Sequence, residues 1–351
     1  MRSWLAGATG VGRTRSAPAE PGLAGPFTQG PVGTMPTLEN HASANSTPGG
    51  DDEAASSRGV AWLSALTQHV QTQPGFPATV RVVDAALGDE QARYIAVVPD
   101  PSNRFPRVRN GEVGLAEGWY LARAIRQCVE QDAGSAATDR AGVAGTVLPD
   151  ESSGHHTRRR PIVAVIDVPS QAYGKLEEGL GIHQALAAVV DAAAQARLAG
   201  HPFIGLIVGQ AISGAFLALG CQANRLIALR DPGVQVHAMG KASAARITQR
   251  TVEQLDALAA GVPPMAYDIE SYASLGMLWK SLQAQNARRP TAQDLAAVRA
   301  LLCEAVSSIR SDPLRDLSSR LGAPNRNASL KVRERMRELW NQDESVPSAR
   351  S

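Results

Sequence analysis

Cysteine is scarce: Cys128, Cys221 and Cys303 are the only three in 351 residues, far apart and with no CxxC spacing. This usage excludes a disulfide framework and a cysteine-based zinc site, and it fits a reducing compartment. Long apolar runs are missing too, since none approaches the ~20 residues that cross a bilayer. Charge of neither sign dominates, with a formal net charge of +2, so nothing global points to nucleic acid or to a membrane surface. The amino terminus carries Arg2, Arg13 and Arg15 but no secretory hydrophobic segment and no convincing amphipathic period, and the chain is read as cytoplasmic. What is present is 44% hydrophobic residues, enough for a sizeable core in one large domain or two ordinary ones.

Residues 1–58 are dominated by Gly, Pro, Ser, Thr, Ala and Asn. They lack the apolar surface that would offset the entropy of ordering, and they read as a disordered extension. Order is expected to begin near Trp62. Thr79 to Asp84 and Ala92 to Val98 are β-rich runs joined through Leu87-Gly88-Asp89-Glu90, a hairpin pattern. After the turn-rich residues 99–106, Leu115, Trp119, Leu121, Ala122, Ile125 and Val129 keep helical spacing over Val113 to Asp132. Residues 133–160 lose periodicity. Their His155-His156 pair and Arg158-Arg159-Arg160 run suit a solvated, flexible insertion better than a metal or nucleic-acid site.

From Pro161 the pattern becomes regular. Ile162 to Asp167, Phe203 to Val208 and Arg225 to Leu229 are apolar without alternation, and helices are expected over Lys175 to Leu198 and Ser213 to Cys221. Such strands, each followed by a helix, mark a parallel sheet covered on both faces. A short run, Val234 to His237, leads through Ala238-Met239-Gly240 into a helix over Lys241 to Gln249. Further helices are expected over Val252 to Ala260, Met265 to Gln283, Ala292 to Ile309 and Leu330 to Asn341.

Within this frame Gly205 to Phe216 is the most informative stretch, an apolar strand that breaks into small residues and restarts as a helix. The first N–H groups of a helix lack internal partners and carry partial positive charge, and small residues let a carbonyl approach them. Such a junction can stabilise an enolate or oxyanion. The same residues also suit close packing of a helix on a sheet, and on this segment alone both readings stand.

Asp167-Val168-Pro169-Ser170-Gln171-Ala172-Tyr173-Gly174, Glu177-Glu178-Gly179-Leu180-Gly181-Ile182-His183, the Ala-rich helix and the Gly209 to Phe216 junction together resemble the carboxyl-terminal half of crotonase-type acyl-CoA carboxyltransferases. More narrowly, the chain resembles malonate decarboxylase gamma subunits. Arg81-Val82-Val83-Asp84, Ala96 to Pro106, Gly111 to Leu115, Gln222 to Leu229, Val236-His237-Ala238-Met239-Gly240-Lys241 and Val262 to Ile269 carry that likeness, which covers roughly residues 60–283. It implies an α/β, crotonase-like (ClpP/crotonase) ββα-superhelix type fold with a parallel sheet flanked by helices. The domain would span 59–283, with the 133–160 insertion inside it and a helical tail over 284–351.

The resemblance implies decarboxylation of a malonyl thioester, with the backbone N–H groups of Gly214 and Ala215 as an oxyanion hole and Ser213 beside them. Gln171, Tyr173 and Gly174 follow a strand end, where ligands of α/β sheets bind, or they form an ordinary turn. Gly240 and Lys241 open a second glycine-to-helix junction, which suits a phosphate or carboxylate of the substrate or simple helix capping. Gln210 stands where the family pattern leads one to expect Lys, and Leu219-Gly220-Cys221 also departs from it; backbone donors are untouched by either change. Glu177 and Glu178 suit the helix dipole, His183 reads as a hydrogen-bonded helix histidine, and Cys221 as a packed thiol. No metal or cofactor is implied on this chain. The implied partners are a beta subunit with the other half-site, an acyl carrier protein (delta subunit) whose prosthetic arm resembles dephospho-coenzyme A, and an alpha subunit that transfers the acyl carrier. A carboxyltransferase subunit of a biotin-dependent malonate decarboxylase, or a non-catalytic scaffold for the beta subunit, are the alternatives.

Overall fold

The computed structural model describes residues 57–142 and 158–344. Of the expected 1–58 extension, residues 1–56 lie outside the described residues, as do the His155-His156 pair and the chain end from 345, while Ser57 caps and Arg58 opens a helix, so order begins before Trp62. In chain order the elements are α1 (Arg58–Leu66), β1 (Val80–Leu87), β2 (Glu90–Val97), α2 (Leu115–Gly142), β3 (Ile162–Val168), α3 (Lys175–Gly179), α4 (Ile182–Leu198), β4 (Phe203–Ile212), α5 (Ser213–Leu219), β5 (Arg225–Arg230), β6 (Gln235–His237), α6 (Lys241–Thr248), α7 (Val252–Ala259), α8 (Ile269–Ser274), β7 (Lys280–Gln283), α9 (Ala292–Ser311) and α10 (Asn327–Glu344).

The expected hairpin is formed by β1 and β2, paired antiparallel from Val80↔Val97 to Leu87↔Glu90. Gly88 turns it at φ +60°, a conformation that costs glycine nothing. From β2 onward the sheet is parallel, in the order β1-β2-β3-β4-β5-β7, with β6 added to the far end of β4. The absence of alternation is explained by burial on both faces: every residue of β3 but Asp167 and every residue of β4 but Gln210 is buried. Helices α2, α4 and α5 pack together as one covering layer, and α1 with α9 packs on the sheet as another. The α2–α4 crossing is close because Gly118 faces Ala185, whose Cβ would stand 2.9 Å from an added Cβ. Val298, Leu302, Ala305, Val306 and Ile309 of α9 join the same core as Trp62, Phe203 and Leu206. Each of the Val, Leu, Ile and Phe side chains among them contributes about 1.5–3 kcal/mol of burial.

Three local expectations are corrected. Lys175 to Leu198 is two helices, because Gly181 adopts φ +85° between them. Met265 to Gln283 is not a helix: Pro263–Met265 forms a 3-10 turn, α8 follows, Gly276 at φ +72° ends it, and Lys280–Gln283 pairs as an edge strand with β5. Finally, β4 does not stop at Val208 but runs to Ile212, because β6 pairs with Gln210, Ala211 and Ile212. Among the described residues no helix is long and apolar enough to cross a membrane.

Candidate functional site

The geometry at the carboxyl end of β4 begins with an irregularity. Ile166 pairs with Ile207 and Val168 with Ala211, so two steps along β3 span four along β4. Asp167 fills that bulge. Its Oδ1 accepts from Gln210 N at 3.0 Å and its Oδ2 from Gly59 N at 3.0 Å, in the first turn of α1. A Cβ on Gly209 would lie 2.0 Å from Asp167 Oδ1, so glycine is required there. The lone carboxylate of an otherwise apolar strand thus ties the amino-terminal helix to the strand that carries the candidate site.

Where β4 ends, Ser213 adopts φ +68°, a left-handed conformation that costs a non-glycine residue on the order of 1–3 kcal/mol. Its buried hydroxyl accepts from Gln171 N at 2.6 Å, which joins the end of β3 to the start of α5. Gly214 follows, and an added Cβ would stand 2.1 Å from Gln171 Oε1 and 3.4 Å from Leu186 Cδ1. The carboxamide of Gln171 therefore lies against Gly214. No side chain caps α5, and among the described residues no loop carbonyl or side chain accepts from the amides of Gly214 or Ala215. Two helix-start donors stand beside a hydroxyl and a carboxamide, an arrangement able to hold a carbonyl or enolate oxygen.

The loop that carries Gln171 is braced: Val113 N donates to Ser170 O at 3.1 Å and Ala172 N to Val113 O at 2.8 Å. Tyr173 is half exposed, and its hydroxyl meets Ser243 Oγ at 2.9 Å, linking the loop to α6. Gly174 makes room for Arg107, which pairs with Glu177. Gln210 exposes its side chain while Asp167 takes its N–H. Lys241 is engaged elsewhere: Nζ pairs with Asp256 at 2.7 Å and sits 5.2 Å from the centroid of the Tyr267 ring. Gly240 precedes it as an N-cap with nothing within 4 Å of an added Cβ.

The structure thus brings Gln171, Ser213, Gly214 and Ala215 together and ties Tyr173 to the helix that Lys241 opens; it does not bring the ammonium of Lys241 to them as a free cation. Lys241 instead borders a cavity of about 580 Å³ at the carboxyl ends of β5 and β7 and the start of β6, lined also by Arg230, Gln235, Asp256, Tyr267 and Gln283. His183 is exposed on α4. Cys221 is half-buried, with Sγ 3.7 Å from the Tyr272 hydroxyl, and burial pushes its thiol above the ordinary range. Sequence reasoning missed the bridging role of Asp167. Its only signal was a carboxylate at the end of the apolar run Ile162 to Ile166, and one of its partners lies 108 residues away.

Comparison with known proteins gives relatives of the whole domain. Residues 108–340 match the family model described as malonate decarboxylase gamma subunit, MdcE. Over 246 residues the chain is 30% identical to the malonyl-S-ACP:biotin-protein carboxyltransferase MADD of Malonomonas rubra, covering 70% of this chain and 74% of that protein. Among solved structures it is similar to a chain of a Pseudomonas malonate decarboxylase hetero-tetramer in complex with coenzyme A, at 56% identity and a TM-score of 0.72, covering 81% of this chain and 100% of that one. It is also similar to a chain of the Pseudomonas malonate decarboxylase MdcD-MdcE hetero-dimer, at 54% identity and a TM-score of 0.69, covering 81% and 99%.

Proposed function

Because the chain belongs to the malonate decarboxylase gamma subunit family, we propose that its Ser213–Ala215 turn is the oxyanion-holding half-site of a malonyl-thioester decarboxylase, completed by a beta subunit. The substrate is malonyl carried on an acyl carrier protein through a dephospho-coenzyme A-like arm, the alpha subunit loads that carrier, and the complex works in the cytoplasm. Breaking the bond from Cα to the carboxylate releases CO2 and sends its electron pair toward the thioester oxygen. The amides of Gly214 and Ala215 stabilise that oxygen as it becomes negative, and because they are fixed by the helix they need no reorganisation as charge develops. Ser213 holds Gln171 in place, and Gln171, Gly214 and Tyr173 border the approach. Gln210, Gly174, Gly240 and Lys241 shape the surroundings of the arm.

The observation that carries this reading is the Ser213–Gln171 junction, with its buried hydroxyl contact at 2.6 Å and two helix-start amides left without a loop or side-chain acceptor among the described residues. Around it Tyr173, Leu176, Leu180 and Leu217 are 47%, 64%, 62% and 42% exposed. So much apolar surface beside a polar site favours a covering subunit.

The test is turnover of malonyl carrier protein by the coexpressed beta–gamma pair, against beta alone and against a pair bearing Gly214→Val. The substitution crowds the oxygen's place, and losing one such donor typically costs ~10²- to 10³-fold in turnover. Near-normal turnover of a correctly assembled Gly214→Val pair would sink the assignment and favour a scaffold. A biotin-dependent variant of the same chemistry is favoured by the 30% identity to a malonyl-S-ACP:biotin-protein carboxyltransferase; carboxyl transfer to a biotinyl carrier distinguishes it.

A further inference from the structure

Decarboxylation leaves an enolate that must take a proton on carbon, and the one side-chain proton at Ser213–Ala215 is that of the Ser213 hydroxyl, whose oxygen accepts from Gln171 N and which is a far weaker acid than an imidazolium. The adjoining strand does carry a proton donor. β6 runs parallel to the end of β4 with Gln210 beside Gln235, Ala211 beside Val236 and Ile212 beside His237. His237 is therefore the neighbour of the last residue before the Ser213–Gly214 turn.

Its ring is fixed on two sides. It stacks on Tyr267 with centroids 4.1 Å apart and planes 13° from parallel. Nδ1 lies 2.9 Å from Met239 O and 3.1 Å from Met239 N, and the Tyr267 hydroxyl donates to the same Met239 carbonyl at 2.7 Å. Both backbone contacts engage Nδ1, so Nε2 is the nitrogen without a hydrogen bond among the described residues. The charged groups packed behind the stack are Lys241, over the other ring, and its partner Asp256. Burial holds the imidazole below its ordinary range despite the Met239 contact, so the charged ring releases its proton readily.

The other described histidines are less suited. His69 bonds Ser64 at the end of α1. His201 is buried at the opposite, amino end of β4 with Nδ1 2.9 Å from Arg160 O. His183 is exposed on the first turn of α4, with no hydrogen bond among the described residues to fix its ring.

We propose that His237, resting on the oxyanion reading above, is the proton donor that converts the enolate to the acetyl thioester, with Tyr267 as its positioning residue. After CO2 leaves, the Nε2–H bond breaks, the enolate's carbon takes the proton, the thioester carbonyl re-forms, and the imidazolium returns to neutral imidazole. Solvent then recharges the ring.

The experiment measures kcat and KM of the coexpressed beta–gamma pair for malonyl carrier protein across pH 5–9, for the parent and for His237→Gln, His237→Ala, Tyr267→Phe and His183→Gln. We expect His237→Gln to lower kcat about 10²-fold with little change in KM, and to abolish the alkaline fall in kcat that follows loss of the imidazolium. Added imidazole should restore part of the rate to His237→Ala, whose vacated space admits it. Tyr267→Phe should give a smaller loss, and His183→Gln should stay near the parent. A parent-like kcat and pH profile for His237→Gln overturns the proposal. So does an assembled, slow His237→Ala pair that imidazole leaves slow, because that residue is then only structural. If Gly214→Val is dead while His237→Gln is active, the proton donor alone is wrong; if both are active, the oxyanion reading has failed.

Discussion

Two glycines five positions apart should fail in opposite ways when given a single methyl group. At Gly209 an added Cβ stands 2.0 Å from Asp167 Oδ1, with the Asp167 Cγ and Cβ next at 2.5 and 3.2 Å. That carboxylate cannot swing aside freely, because it accepts from Gln210 N and from Gly59 N, each at 3.0 Å. Gly209→Ala must therefore break at least one of two hydrogen bonds to a charged group, each worth about 1.5–3 kcal/mol, and shift the bulge as well. At Gly214 the obstructing atom is Gln171 Oε1, 2.1 Å away, the far end of a flexible side chain that can rotate at small cost. The alanine also regains up to ~1 kcal/mol of helix propensity.

The expected outcome is a loss of about 3 kcal/mol for Gly209→Ala, or roughly 6–12 °C in melting temperature at 2–4 °C per kcal/mol, against a near-parent melting temperature for Gly214→Ala. Activity should invert the order once the Gly209→Ala pair is assayed at a temperature where it is folded. Gly214→Ala displaces the Gln171 carboxamide beside the proposed oxygen site, whereas the amides of Gly214 and Ala215 survive in Gly209→Ala. The assays are thermal unfolding followed by circular dichroism and turnover of malonyl carrier protein, both on the copurified beta–gamma pair. The double variant Gln171→Ala/Gly214→Ala completes the cycle: if displacement of Gln171 is the cause, adding Gly214→Ala to Gln171→Ala costs little more. An unchanged melting temperature for Gly209→Ala, or full turnover by Gly214→Ala, would refute the reasoning.

Two further outcomes follow from the ends of the sheet. Removing residues 1–56 should leave melting temperature and turnover nearly unchanged, whereas removal through Val60 should lower both, since it deletes the Ser57 cap, the Arg58–Asp231 ion pair at 2.7 Å and the Gly59 amide on Asp167; equal melting of the two truncations would contradict this. Burial depresses the imidazole of His201, with Arg160 O and Asp132 opposing that effect and Arg159 and Arg160 adding to it; its Nε2 is buried without a partner. The unfolded chain therefore binds a proton near pH 6.5 that the folded chain refuses, so stability should fall as pH drops below about 6.5. Urea unfolding at pH 5 to 8 checks the slope, which His201→Asn should flatten.

Much of the frame was legible because its signals are local. The hairpin announced itself through Gly88 between two β-rich runs, and β3, β4 and β5 through unbroken apolar stretches that match their burial on both faces. What stayed hidden depends on pairing across long separations. Lys280–Gln283 has no strand signal of its own and becomes one only beside β5. Gly209 to Ile212 reads as a turn by composition, yet β6 and the Asp167 bulge hold it extended. Ser213 to Ala215 stood out as small residues at a strand–helix junction, but nothing local revealed that Gln171 would bond Ser213 from 42 residues away or that Tyr267 would stack on His237.

These contacts also explain why the departure at position 210 need not disturb the chemistry. Along Gly209–Ala215 the groups the proposed site relies on are backbone groups: the Gln210 amide held by Asp167, the left-handed Ser213, and the amides that open α5. The Gln210 side chain is exposed and makes no hydrogen bond among the described residues, so a lysine or a glutamine there meets the same backbone. Side chains at either edge do constrain that backbone: Asp167 fixes where the strand bulges, and Gln171 fixes where the turn ends. If the proposed main-chain donors form the site, it should be sensitive to Gly209 and Gly59, which set the strand behind it, and tolerant at the exposed position 210 inside its own sequence motif.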